Sequence, residues 1–99
     1  MIRHIVEFTL RATDEVQRQA DVEGMRERLT ALLGVVAGVS SIEVSRDLGL
    51  VDGHWDVVLV TEHASNEELE AYQKHPAHQA VVAWISTVVS QRATVDYEL

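Results

Sequence analysis

Two histidines and a tyrosine, His4, Tyr72 and His78, are the side chains best suited to chemistry in this sequence. Imidazole titrates near neutral pH and serves as a general base, while a phenol donates a hydrogen bond to a developing enolate or alkoxide. The trio therefore suits proton removal beside a carbonyl. It suits equally well a buried polar network in which each group satisfies its neighbours, and the residue types alone leave both readings open. His4, His75 and His78 also raise the question of a metal. His75 and His78 straddle Pro76 without a fixed third ligand, however, so no metal is expected. Gly34 and Gly38 fit no phosphate-binding fingerprint, and there is no serine or cysteine nucleophile motif. No cofactor is expected.

The elements that must position the trio follow from hydrophobic periodicity. Residues 2–10 alternate as a strand, with Ile2, His4, Val6, Phe8 and Leu10 on one face and Arg3, Ile5, Glu7 and Thr9 on the other. His4 thus points with the large apolar side chains, a costly direction for an imidazole without a partner. From about Asp14 to Leu33, Val22, Met25, Leu29, Leu32 and Val36 recur at helical steps, and Gly34 closes the helix. Val39 to Asp47 reads as a strand, with Ile42, Val44 and Leu48 on one face and Ser41, Glu43 and Ser45 on the other. Gly49 and Asp52-Gly53 mark a turn, after which the apolar run from Trp55 to His63 predicts a central strand.

Ser65 and Glu68 have capping-box spacing, so a helix begins there with Leu69 and Tyr72 on its inner face. Pro76 disfavours helical geometry at His75 but suits the first turn of a new helix. A second helical piece, capped by His75, therefore runs to about Ser90 with His78, Val81, Val82, Ile85, Val88 and Val89 as its apolar stripe. Arg92 to Leu99 closes the chain as a strand, with Ala93, Val95, Tyr97 and Leu99 alternating against Arg92, Thr94, Asp96 and Glu98. The order β-α-β-β-α-β is the ferredoxin-like split βαβ sandwich, an α+β fold whose four-stranded antiparallel sheet carries both helical regions on one face. Residues 1–99 form one domain in this reading.

In that topology the first and third strands are antiparallel neighbours, so His4 approaches Thr61 or His63, and Tyr72 and His78 descend over the same sheet end. The trio then converges in a pocket lined by Val6, Phe8, Leu59, Thr61, His63, Val82 and Ile85, the kind of apolar site with a few polar groups that takes a small molecule. Trp55, Phe8 and Tyr97 read as core aromatics. The helix-free face shows Ile5, Val58 and Val60 among Glu7, Ser41, Glu43, Thr94 and Asp96. Two such sheets can pack face to face, which makes Ile5, Glu7, Val58, Val60 and Thr94 the candidate homodimer contacts.

Composition bounds the partners. The 99 residues are 46% apolar, enough for one core. Sixteen acidic residues against eight scattered basic ones give a net charge of −8, which repels nucleic acid and anionic membranes. No cysteine is present, and no segment resembles a signal peptide or reaches the ~18 apolar residues of a membrane span, so a cytoplasmic location is expected.

MIRHIVEFTL at the start, GHWDVVLVTEHAS in the centre, LEAYQKHPAHQAVV and the closing SQRATVDYEL together resemble the stress-responsive dimeric α/β-barrel (Dabb) family. The likeness spans the whole chain and is most specific at Tyr72-Gln73-Lys74-His75-Pro76-Ala77-His78, with His4 at the matching place in the first strand. It implies a ferredoxin-like protomer, a homodimeric barrel and a pocket between sheet and helices. The residues used by the plant polyketide cyclase that forms olivetolic acid resemble those here. That likeness implies His78 as the base, Tyr72 as the donor polarising the attacked carbonyl and His4 as support, in an aldol-type closure of a polyketide or other small carbonyl compound. His63 departs from the apolar residue that related sequences tend to carry. The function expected is a cofactor-independent cyclase or isomerase, and the alternative is a noncatalytic stress-associated dimer that binds a ligand or only organises its core.

Overall fold

At Leu10 the end of the first strand is tied down by a side chain from elsewhere in the chain, Asp56. Its carboxylate accepts from the Leu10 amide at 2.8 Å and from Arg18 at 2.6 Å, while its own amide donates to the Phe8 carbonyl at 2.8 Å. A computed structural model describes all residues, Met1–Leu99. The strands are β1 (Ile2–Leu10), β2 (Ser41–Arg46), β3 (Val57–His63) and β4 (Val89–Glu98), and the helices are α1 (Glu15–Thr30), α2 (Asn66–Lys74) and α3 (Pro76–Val88). The antiparallel sheet has the order β2-β3-β1-β4, so the two most regular apolar alternations, in β1 and β3, occupy its centre.

Local sequence sets the helix ends. Asp14 caps α1 by accepting from the Gln17 amide, and Ser65 caps α2 by accepting from Glu68, which supplies one half of the expected capping box. His75 ends α2 and caps α3, its Nδ1 accepting from the Ala77 amide at 3.0 Å, with Pro76 in the first turn. The core lies between one sheet face and the helices, where Val6, Phe8, Leu10, Val44, Val57 and Leu59 meet Val22, Met25, Leu29, Tyr72 and Ile85.

Several boundaries differ from the periodicity. The first helix stops at Thr30, and Leu32 and Val36 are buried from the turns that follow it. Leu48 is 86% exposed, because β2 ends at Arg46 and the chain has left the sheet by then. Asp56 ends the β3 ladder, so the strand starts at Val57 instead of Trp55. The last strand begins at Val89, three residues early, and runs along the edge of the sheet beside β1.

The phase of β4 corrects a larger error. Thr94 lies opposite Val6 and Asp96 opposite His4, and directly opposed residues share a sheet face. Both therefore stand on the helix side, and Thr94 is withdrawn as a contact of the open face. Val95 and Tyr97, opposite Ile5 and Arg3, take the open face instead. Tyr97 is accordingly not a core residue: it accepts from Arg3 at 2.9 Å at the surface. Ile5, Glu7, Val58 and Val60 do lie on that open face.

Candidate functional site

The pairing of β1 with β3 and β4 places His4 between Thr61 and Asp96. The His4 Nδ1 donates to the Asp96 carboxylate, which fixes the tautomer and the plane of a ring that is otherwise nearly buried. Next to it, the fully buried His63 is held at both nitrogens. Its Nδ1 donates to the Gly38 carbonyl, so Nε2 must accept from the Thr61 hydroxyl, at 2.8 Å. Burial holds the His63 imidazole below its ordinary pKa of 6.5, against the opposing pull of the Gly38 carbonyl. A neutral ring with both nitrogens engaged has no proton to exchange, and its place is structural.

The rings continue as a ladder. His4 and His63 have centroids 6.4 Å apart, His63 and Tyr72 5.1 Å, and Tyr72 and His78 4.6 Å. Tyr72 descends from the inner face of α2 and is 1% exposed, and its hydroxyl has no hydrogen-bond partner. Burial alone pushes that phenol up to about 12, so it keeps its proton and remains a donor.

His78, in the first turns of α3, is half-buried. Its Nδ1 donates at 3.2 Å to the Gln73 carbonyl, which the break at His75 leaves free at the end of α2. The lone pair of Nε2 is left available. Burial sets the pKa below the ordinary 6.5, opposed by the Gln73 carbonyl and reinforced by the charges of His4, Arg92 and His63. This is the protonation state a general base requires at neutral pH.

Between α3 and the β1–β4 side of the sheet lies a cavity of about 480 Å³. His4, Val6, Phe8, Leu59, His78, Val82 and Ile85 line it, as the periodicity anticipates. Thr61, His63 and Tyr72 do not: they form the packed ladder behind its wall. Leu29, Gln73, Ser86, Val89, Arg92 and Thr94 line it as well, and Asp96 backs His4. None of these is a pocket residue in the sequence reading, which assigns Thr94 to the dimer face instead. The signal for Arg92, Thr94 and Asp96 was strand register, since they pair with Phe8, Val6 and His4. His75 is committed to capping, and His4, His75 and His78 form no cluster that could hold a metal ion.

The family described as Stress responsive A/B Barrel Domain matches residues 2–99. A dimeric ferredoxin-like protein of unknown function from Thermobifida fusca is 30% identical, with 99% of this chain and 90% of that one covered at a TM-score of 0.84. A dimeric protein of unknown function from Bacteroides fragilis is 28% identical, with 99% and 95% covered at a TM-score of 0.85. A hydroxynitrile lyase from Passiflora edulis is 12% identical, with 97% and 90% covered at a TM-score of 0.81, a likeness that shows the fold alone. No curated protein sequence matches the chain. No helix is long and apolar enough to cross a membrane.

Proposed function

Because this chain belongs to the stress responsive A/B barrel domain family and is similar to dimeric proteins from Thermobifida fusca and Bacteroides fragilis, we propose that it is a homodimeric, cofactor-independent enzyme acting on a small carbonyl compound. The observation that carries the reading is His78: a neutral imidazole on the wall of a 480 Å³ cavity, its Nδ1 engaged by a carbonyl and its Nε2 free.

In the proposed reaction Nε2 of His78 takes a proton from the carbon beside a carbonyl, and the C–H electron pair moves into the enolate. The enolate carbon attacks a second carbonyl of the same chain, forming a C–C bond. The resulting alkoxide recovers the proton from the His78 imidazolium. Returning the proton to a different carbon instead gives isomerisation. His4, oriented by Asp96, supports the pocket end of the site. Tyr72 is the hydrogen-bond donor to the developing oxyanion, supported by its retained proton and its contact with His78. Its hydroxyl is sealed in this structure, so donation needs a small displacement where α2 gives way to α3.

Hydrogen–deuterium exchange at the α-carbon of benzylacetone and related methyl ketones, followed by NMR, tests the proton transfer. His78→Ala should lower the protein-dependent rate by about 10²-fold or more. The wild-type rate should rise with pH to a plateau with a midpoint below 6.5, because the base works unprotonated and burial lowers its pKa. No His78-dependent exchange across the ketones would sink the enzymatic reading. It would leave the second one, a noncatalytic ligand-binding dimer, which the sealed Tyr72 hydroxyl favours.

A further inference from the structure

Among the eight basic residues of the chain, Arg92 stands apart. Arg3, Arg18, Arg26, Arg46 and Lys74 each pair with a carboxylate. Arg11 donates to the Ser86 carbonyl, and Arg28 lies 3.8 Å over the Trp84 ring. The Arg92 guanidinium has no side-chain or carbonyl partner, although the chain carries sixteen acidic residues. It is also the one basic side chain that lines the cavity.

Strand geometry explains why no internal carboxylate reaches it. Arg92, Thr94 and Asp96 follow one another along the helix-facing side of β4, opposite Phe8, Val6 and His4. Asp96 is taken by His4, and it lies four residues from Arg92, roughly 13 Å along the strand. The cavity therefore has a charged donor at one end and the imidazoles of His4 and His78 toward the other, with Val6, Phe8 and Ile85 between. An edge strand often carries a bare Arg or Lys only to discourage pairing with other chains. Such a charge has no reason to sit on a pocket wall, and the protein's overall negative field would keep anions away without a local cation.

We infer that the pocket takes a carbonyl compound bearing a carboxylate, with the carboxylate held by Arg92 and the carbonyl presented to His78. A guanidinium forks onto a carboxylate through two parallel N–H donors, so Arg92 would fix the distance of the reacting carbon from the base as well as the affinity. The inference rests on the carbonyl reading above for the reacting end only; the anion site stands on Arg92.

Levulinate, longer methyl-keto acids and their amides test it, because each acid and its amide differ in charge and hardly in size. Titration of the full chain by calorimetry should find at least one acid bound about ten-fold tighter than its amide, a difference that shrinks with added salt. Arg92→Gln should abolish the difference by weakening the acid far more than the amide, and Arg92→Lys should keep part of it, since lysine retains the charge without the fork. The Arg92 side chain is exposed and makes no internal hydrogen bond, so both variants should fold as the wild type does, which circular dichroism checks. Acids bound no better than amides, or not at all, or a preference that survives Arg92→Gln, would overturn the inference. Deuterium exchange on the same compounds separates the two readings. An Arg92-dependent preference without exchange keeps the anion site and discards the base, whereas exchange that ignores charge does the reverse.

Discussion

Tyr72 carries a polar atom that the fold seals away from both water and protein. An unpartnered buried hydroxyl costs about 1–3 kcal/mol, since it loses its hydrogen bonds to water and gains none in return. Tyr72→Phe removes that oxygen and keeps the ring between His63 and His78. The variant should be more stable by about 1 kcal/mol, which in a domain of this size raises Tm by roughly 4–8 °C. The same change should slow α-proton exchange, since the oxyanion loses its donor. Differential scanning calorimetry beside the exchange assay reads both effects, and a fall in Tm would mean that the hydroxyl has a partner in solution. A stability cost kept at a residue that packs on His78, the proposed base, is the pattern expected where function opposes stability. The imidazoles next to it are treated differently: His63 is satisfied at both nitrogens and His4 at the one that meets Asp96, while His78 keeps Nε2 free on the cavity wall with a pKa lowered by burial.

Periodicity located His4, Tyr72 and His78 because each lies within an element whose alternation or stripe is strong, and β1, α2 and α3 fold where those patterns predict. The last strand defeated the same logic. Ala93, Val95 and Tyr97 are more apolar than Arg92, Thr94 and Asp96, so the apolar set was read as facing the helices. At an edge strand that the helices leave uncovered, the helix-facing positions border a cavity and carry polar groups instead. Asp96 and Arg92 were invisible for that reason. Gly38, which fits no phosphate-binding fingerprint in the sequence, joins three elements. Its φ of 94° suits glycine, its carbonyl accepts from His63 on β3, and a Cβ there would lie 2.6 Å from the Glu68 carbonyl of α2. Gly38→Ala should therefore cost about 2–4 kcal/mol, combining left-handed strain with the clash. Gly34→Ala has a similar φ of 85° but open space around it, and should cost only about 1 kcal/mol. Urea denaturation of the two variants compares them. Equal losses would mean that the clash relaxes and that Gly38 does not lock α2 to the sheet.

The whole molecule has two faces with different work. The helix side closes over the core and the cavity, while the open side of the sheet has no element to cover it. On that side Ile5 is opposed by Val60 on β3 and Val95 on β4, giving a row of apolar side chains across the three strands, and Val95 is 62% exposed. Beside the row, Arg3 bridges Glu62 at 3.0 Å and Tyr97, and Ser41 donates to Glu62, while the carboxylates of Glu43, opposite Val60, and Glu7, opposite Val58, are unpaired. An apolar centre with a polar rim is the anatomy of a surface that a second copy can cover. The similar structures from Thermobifida fusca and Bacteroides fragilis are dimeric. Val60→Glu places a carboxylate at the middle of the row, where a two-fold interface would bring it near its own copy and remove it from water. Light scattering should then find 11.0 kDa in place of twice that mass. The core residues lie on the other side of the sheet, so the variant should still fold, with a Tm that no longer rises with protein concentration. A Val60→Glu protein that remains a dimer would put the interface elsewhere. If it becomes a monomer and retains His78-dependent exchange, the pocket is complete within one chain.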